Sequence, residues 1–431
     1  MASRAPILWI TPKWPFPPED GARLATVTLL KGLARLGEKI ELLALVDRGI
    51  PVDLQMALAD GGVSAAHVLR TTPVPSFRLL RFFHFLGHLF QHWRTPLTCA
   101  KYSSSEIRGA LAELVRGEQV QSKAFESTTP SSEKRRYSLI VYDGLHGAAH
   151  SLSQGMYQAL PRKIPVVYRA HNCETQIWER KAQRVESSAV RAFFAFQAGC
   201  MRTFETSVLR KASMTLPVSE VDEIHLKSLL PRAHFSVIPI GYELPTTFPE
   251  RDPSSNVLFV GRLDWPPNRE GLEWFLEHVW PEVRYNREDL SLTVIGSGKS
   301  GYLKKYIGLE GTQFLGRVDD LAPHYERALV AIVPLFYGSG TRVKAIEAAA
   351  RGCAILSTTL GVEGLGLDPE RSYMRAETED EWIKSLVTIS KEKAEPVSRE
   401  AFQEISARFN PVRCAELCQE ALESVLRGFS E

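Results

Sequence analysis

Gly338-Ser339-Gly340-Thr341-Arg342-Val343-Lys344-Ala345-Ile346-Glu347, running on to Gly352, is the stretch whose residue types could do chemistry. Glycines and hydroxyl residues open it, two cations follow, and a carboxylate stands one turn further along. A glycine-rich turn entering a helix directs free backbone N–H groups and the positive end of the helix dipole at one point, where a phosphate can sit. Arg342 and Lys344 add charge there, and Glu347 can grip hydroxyl groups. The ligand such a set suits is both phosphorylated and polyhydroxylated, a nucleotide sugar for example. The plain alternative is a solvated ladder, because Lys344, Glu347 and Arg351 recur at i, i+3 and i+7 on one helical face.

The elements that must position these residues are legible as short β-branched runs alternating with helical stretches, the pattern of parallel sheets built from βαβ units. The runs in the first half are Ile7 to Thr11, Ile40 to Val46, Leu139 to Asp143, Val166 to Tyr168, Met214 to Val218 and Phe235 to Pro239. Those in the second are Val257 to Gly261, Leu292 to Gly296, Gln313 to Gly316, Val330 to Leu335 and Cys353 to Thr358. The expected fold is α/β, two doubly wound Rossmann-like domains facing a cleft, with ligands beyond the carboxyl ends of the strands. A chain of 431 residues suits two such domains better than one core. Residues 1–238 form the first domain and residues 256–410 the second, joined by the proline-containing linker 239–255; the helical stretch 411–431 is expected to pack back across the junction. Gln119 to Arg136, polar and without period, reads as a mobile surface loop.

Three segments of the first half are placed to meet a ligand. The proline-rich loop after Ile10 enters a helix near Gly21, where a missing side chain lets backbone approach a ligand. Arg169-Ala170-His171-Asn172-Cys173-Glu174 follows a strand, and His171 there suits a functional role better than a core one. Asp143 and His146 are weaker candidates, read as a loop hydrogen-bond pair; with His150 and His171 their spacing fits no compact metal motif. Phe77 to Arg94 combines a wide apolar face with a basic stripe, so it suits core packing or contact with a lipid-linked acceptor or membrane surface.

Composition narrows the class. The apolar fraction is 44%, the charged fraction 24% and the formal net charge +2, which gives no global attraction to nucleic acid. Six irregularly spaced cysteines read as reduced, mostly buried thiols. Cys414 and Cys418 lie i, i+4 on a helix without the further ligands a zinc site requires. No leader-like segment and no long apolar run occurs, so a soluble cytoplasmic protein is expected. Gly296-x-Gly298-x-x-Gly301, with Asp319 and Asp320 beyond it, satisfies a dinucleotide-binding pattern, but such glycines also serve as ordinary strand-to-helix turns.

Taken in order, Gly261-Arg262, Pro267-Asn268-x-x-Gly271, Trp274-Phe275, Gly296-x-Gly298, Gly316-x-Val318, Pro334, Gly340-Thr341-Arg342-x-Lys344-x-x-Glu347-Ala348, Gly352 and Gly361-x-Glu363-Gly364 resemble glycosyltransferase family 4. The glycine loop and Arg-x-His-Asn-x-Glu of the first half are similar to a branch of bacterial sugar transferases. The resemblance implies a GT-B fold and retaining, metal-independent hexosyl transfer from a UDP or GDP sugar, with no cofactor. It implies catalytic roles for His171, Arg262 and Glu347: Arg262 on the donor diphosphate, Glu347 on the ribose hydroxyls, His171 beside donor sugar and acceptor. Donor contacts fall on Gly21, Arg317, Val318, Lys344 and the turn Gly338, Ser339, Gly340, Thr341 and Arg342. Two positions depart from the family pattern. Ser339 stands where a glutamate is expected, and Asn268 where a lysine is; Arg269 and Lys344 are both candidates for the missing charge. The implied acceptor is a glycan or lipid-linked sugar in bacterial polysaccharide or glycolipid synthesis, at the inner face of the cytoplasmic membrane if 77–94 meets lipid. A sugar-nucleotide epimerase of the same architecture and a non-catalytic nucleotide-sugar-binding scaffold are the alternatives.

Overall fold

The computed structural model describes residues 5–18, 21–71, 96–100, 102, 104–129, 136–148, 164–185, 187–298, 300–338 and 342–430. The chain divides into two compact units, Met1–Gly241 with Pro411–Glu431, and Tyr242–Asn410.

The first unit is built on a seven-stranded sheet, ordered β4-β3-β2-β1-β5-β6-β7. Its strands are β1 (Ile7–Thr11), β2 (Ile40–Asp47), β3 (Ala65–Thr71), β4 (Phe125–Ser127), β5 (Leu139–Asp143), β6 (Val166–Ala170) and β7 (Met214–Pro217). All pairs are parallel except β3 with β4. β1, β5 and β6 are buried along their whole length, so each reads as a continuous apolar run rather than an alternation. The strand order reverses at β1, which has β2 on one side and β5 on the other. That reversal opens a crevice at the carboxyl ends of β1 and β5.

The helix Pro411–Ser430 belongs to this unit. Its Ala415, Cys418, Leu422 and Val425 recur on one face and join Leu29, Leu30 and Leu33 of the helix Gly21–Arg35 in one buried cluster. Burial pushes the Cys414 and Cys418 thiols up to about 12, so both are packing groups.

The second unit carries a six-stranded, wholly parallel sheet, ordered β10-β9-β8-β11-β12-β13. Its strands are β8 (Asn256–Val260), β9 (Ser291–Ile295), β10 (Thr312–Gly316), β11 (Val330–Val333), β12 (Ala354–Ser357) and β13 (Met374–Arg375). The order reverses at β8, between β9 and β11. Arg251, in the stretch that leads into β8, donates to the carbonyls of Gly352, Tyr325 and Ala328, and so fastens the polar stretch 242–255 to this unit.

Three expectations are corrected. The stretch Gln119 to Arg136 contains β4, whose Glu126 pairs with Arg70 at 2.6 Å. β3 escapes a search for apolar runs because His67 and Arg70 interrupt it. His67 is nonetheless fully buried, its ring nitrogens 2.9 Å from Ser127 Oγ and 3.1 Å from Glu41 Oε2. Phe235 to Pro239 runs beside β7 but forms a single bridge rather than a strand, since Pro217 has no N–H to continue the ladder. The segment 77–94 lies outside the described residues. Among the described residues no helix is long and apolar enough to cross a membrane.

Candidate active site

In the second unit the chain leaves β8 at Gly261-Arg262, turns, and enters the helix Pro266–Trp274, whose prolines sit at the first helical positions, where a fixed φ helps and no N–H is missed. Arg262 is exposed, and its guanidinium meets Asp264 with Nη2 3.0 Å from Oδ2. Asn268, only 4% exposed, donates from Nδ2 to the Arg262 carbonyl at 2.9 Å. Its Oδ1 accepts from the amine of Lys344, which comes from the helix Val343–Ala350. That amine is half-buried, lies 5.4 Å from the centre of the Phe259 ring and has no carboxylate partner among the described residues. Burial, with the nearby Arg342 charge, pulls Lys344 down to about 7.

Arg342 is 3% exposed and its side chain turns inward. Nε donates to the Leu360 carbonyl at 3.0 Å, and Nη2 stands 3.5 Å from Glu363. Arg269 pairs with Glu273 at 2.9 Å and lies 4.6 Å from the ring centre of Tyr302, on the solvent side of its helix. Of the two candidates for the missing cation, Lys344 is therefore the one that meets Asn268. Gly338 adopts φ 124° beside Trp265. Ser339, Gly340 and Thr341 lie outside the described residues. Burial pushes the Glu347 carboxyl up, against the neighbouring hydroxyls of Tyr242 and Tyr325 and the charge of Arg351. Arg317, exposed, and Val318, half-buried, follow β10.

The dinucleotide-like glycines have a packing role. A Cβ on Gly296 would lie 1.9 Å from the Gly261 carbonyl oxygen, and one on Gly298 2.4 Å from Asp264 Oδ1. Only glycine lets the loop after β9 lie against the turn after β8.

In the first unit the carboxyl ends of β1, β5 and β6 converge on Asp143. Its Oδ1 accepts from Arg169 Nη1 at 2.8 Å and His171 Nε2 at 2.6 Å; its Oδ2 accepts from Trp9 Nε1 at 3.0 Å and Thr26 Oγ1 at 2.6 Å. Burial alone would raise this carboxyl, but the Arg169 and His171 charges and the bonds from His171 and Thr26 hold it well below the usual carboxylate range. Nε2 gives its hydrogen to Asp143, and Nδ1 is buried without a partner among the described residues. His171, Asp143, Tyr168 and Asn172 line a cavity of about 460 Å³, together with Thr11, Lys13, Arg23 and His146 from the neighbouring loops. Gly21 opens the adjoining helix. His146 packs edge-on to Tyr102 rather than pairing with Asp143; His150 lies outside the described residues.

Four residues of these sites had no signal in spacing. Trp9 and Thr26 reach Asp143 across more than a hundred positions, and Tyr242 and Tyr325 reach Glu347 from a linker and a neighbouring helix.

Residues 254–391 match the family model described as Glycosyl transferases group 1. The matched segment holds β8 to β13 and every cation and carboxylate just described in the second unit. The uncharacterized 44.6 kDa protein in the cps region of Klebsiella pneumoniae is 30% identical over 168 residues, 35% of this chain and 43% of that protein. The match thus spans under half the length of that relative. Solved structures of the same fold cover nearly the whole chain. Sucrose-phosphate synthase from Thermosynechococcus elongatus superposes with a TM-score of 0.67 at 17% identity, over 99% of this chain and 100% of its own. Anabaena Alr3699/HepE, solved with UDP and glucose, gives 0.62 at 14% identity over 98% and 100%. WaaG, a glycosyltransferase of lipopolysaccharide biosynthesis, gives 0.56 at 12% over 95% and 99%. The fold is that of GT-B glycosyltransferases.

Proposed function

We propose that the chain transfers a glycosyl group from a UDP or GDP sugar to an acceptor hydroxyl, with retained anomeric configuration, in the synthesis of a bacterial surface polysaccharide or glycolipid. One observation carries this reading. Lys344 is a half-buried amine without a counter-charge among the described residues, held by Asn268 against the Arg262 backbone, at the strand-order reversal of a parallel sheet in the segment matching the group 1 model. A cation so placed lacks an anion, and a diphosphate supplies one.

Negative charge builds on the leaving diphosphate as the glycosidic bond breaks. Lys344, Arg262 and the N–H groups of the turn Gly338 to Arg342 would stabilise it, so the reading assigns that task to fixed protein groups and to no metal ion. Glu347, braced by the Tyr325 hydroxyl, offers its remaining capacity to the ribose hydroxyls, and the backbone at Arg317 and Val318 meets the base. On the acceptor side, His171 Nδ1 takes a hydrogen bond from a hydroxyl while Asp143 fixes the ring and its tautomer. Gly21 leaves backbone open beside that cavity. The Klebsiella relative's place in a cps region supports a polysaccharide acceptor.

Calorimetric titration of UDP, GDP and NAD without added metal tests the donor side, repeated on Arg262→Ala and Glu347→Ala. Binding of one nucleoside diphosphate that both changes weaken is the expected result. Preference for NAD, or no nucleotide binding, would refute the reading. Donor turnover that proceeds without any acceptor would instead indicate an epimerase.

A further inference from the structure

Asn268 is a buried amide with no apolar reason to be where it is. Both ends of the side chain are committed to the same locality: Nδ2 to the carbonyl of Arg262, Oδ1 to the amine of Lys344. It therefore joins the loop after β8 to a helix whose lysine lies 76 residues away in sequence. The site is built closely around it. A Cβ on Gly261 would come 2.7 Å from Asn268 Nδ2, so the absence of a side chain there lets the amide lie flat against the end of β8. Pro267 and Leu272 of the same helix are buried on either side. The amide thus joins the backbone of Arg262 to the amine of Lys344 on a separate element.

We infer that Asn268 is a positioning residue that sets Arg262 and Lys344 at the spacing of one diphosphate. The inference rests on the donor reading above and deepens it. An amide suits this place because it accepts from an ammonium without cancelling its charge, which a carboxylate would do, while its NH₂ satisfies the Arg262 backbone carbonyl. A second consequence is geometric. Because the amine of Lys344 rests on the Asn268 amide, a lysine side chain rooted at position 268 has its cation in the same neighbourhood, and charge can be moved from one helix to the other without leaving the site.

The test is a charge relocation read by calorimetric binding of UDP or GDP, whichever the wild type prefers. Asn268→Leu, which removes both bonds, is expected to weaken binding roughly tenfold or more, the loss typical of a bond to a charged group. Asn268→Asp keeps the shape but pairs off the amine, and weakens binding as well. Lys344→Met weakens binding, and adding Asn268→Lys to it restores a substantial part of the lost affinity. That rescue is the readout a merely structural asparagine would not give, and circular dichroism of each variant confirms a folded chain. If wild type binds but Asn268→Leu and Asn268→Asp bind equally well, or the relocated lysine restores nothing, the positioning role is wrong and the donor reading stands. If wild type binds neither nucleotide, the donor reading itself has failed.

Discussion

Raising the pH from about 6 to about 8 should weaken nucleoside diphosphate binding about tenfold, and the reason is one amine. In the free protein Lys344 titrates at about 7, because burial and the Arg342 charge both disfavour its cation. Asn268 and the Phe259 ring face it, and the Glu363 carboxylate pairs with Arg342 rather than with the amine. A diphosphate on that amine returns it to the ordinary lysine range, so the complex holds a proton that the free protein lacks above neutrality. The sign follows: binding takes up a proton, and affinity falls as pH rises through about 7. The charged fraction of the free amine drops from about 0.9 at pH 6 to about 0.1 at pH 8, which corresponds to ~1.4 kcal/mol of lost affinity. Uptake should accordingly rise from ~0.1 proton at pH 6 to ~0.9 at pH 8. Calorimetry in two phosphate-free buffers of different protonation enthalpy reads that number directly. The nucleotide's own terminal phosphate titrates near pH ~6, so Lys344→Met is the required control, and the difference between the proteins isolates the lysine. Equal proton uptake by wild type and Lys344→Met at pH 8 would refute the reasoning.

Asp143→Asn leaves the Arg169 guanidinium, 1% exposed, without its counter-charge and should cost about 3 to 5 kcal/mol in urea unfolding at neutral pH. Because the folded carboxyl lies well below its unfolded value, that stability is complete above about pH 4 and is lost as pH falls further, a slope the variant should lack. Gly271→Ala would put a methyl 1.7 Å from the Pro334 carbonyl oxygen, and should destabilise by about 2 kcal/mol or more, visible as a lowered urea midpoint. His171→Ala should reduce glycosyl transfer ~10²-fold while leaving nucleoside diphosphate affinity unchanged, as judged by steady-state rates beside calorimetry; unchanged turnover would remove His171 from the chemistry.

What could be read without coordinates divides along a physical line. Properties that depend on neighbours in sequence were legible: the continuous apolar runs of β1, β5, β8 and β11, and the polar residues set just beyond strand ends. Properties that depend on where a flexible side chain turns were not. Arg342 and Lys344 are two residues apart and equally charged, yet Arg342 is drawn inward by the Leu360 carbonyl and Glu363 while Lys344 meets Asn268. Nothing in their spacing separates those fates. Strand β3 was hidden for a related reason, since His67 looks like a surface residue until Glu41 and Ser127 are seen to satisfy both ring nitrogens. The Gly296 and Gly298 pair was misleading in the opposite sense. Its pattern is that of a cofactor turn, but the atoms it makes room for belong to Gly261 and Asp264.

The first unit is interrupted by the second, and this has a consequence for synthesis on the ribosome. The helix Pro411–Ser430, which covers the buried face of the helix Gly21–Arg35, is not made until the whole of Tyr242–Asn410 has been translated. At the usual pace of elongation that delay is roughly 10 to 30 s, long compared with the folding of a domain of this size. Throughout it, Leu29, Leu30 and Leu33 have no partner from that helix, and by its end the second unit possesses all six of its strands. The first unit, whose seven strands are translated first, is thus the last to be completed, and an apolar helix face of it stays uncovered by that helix in the meantime.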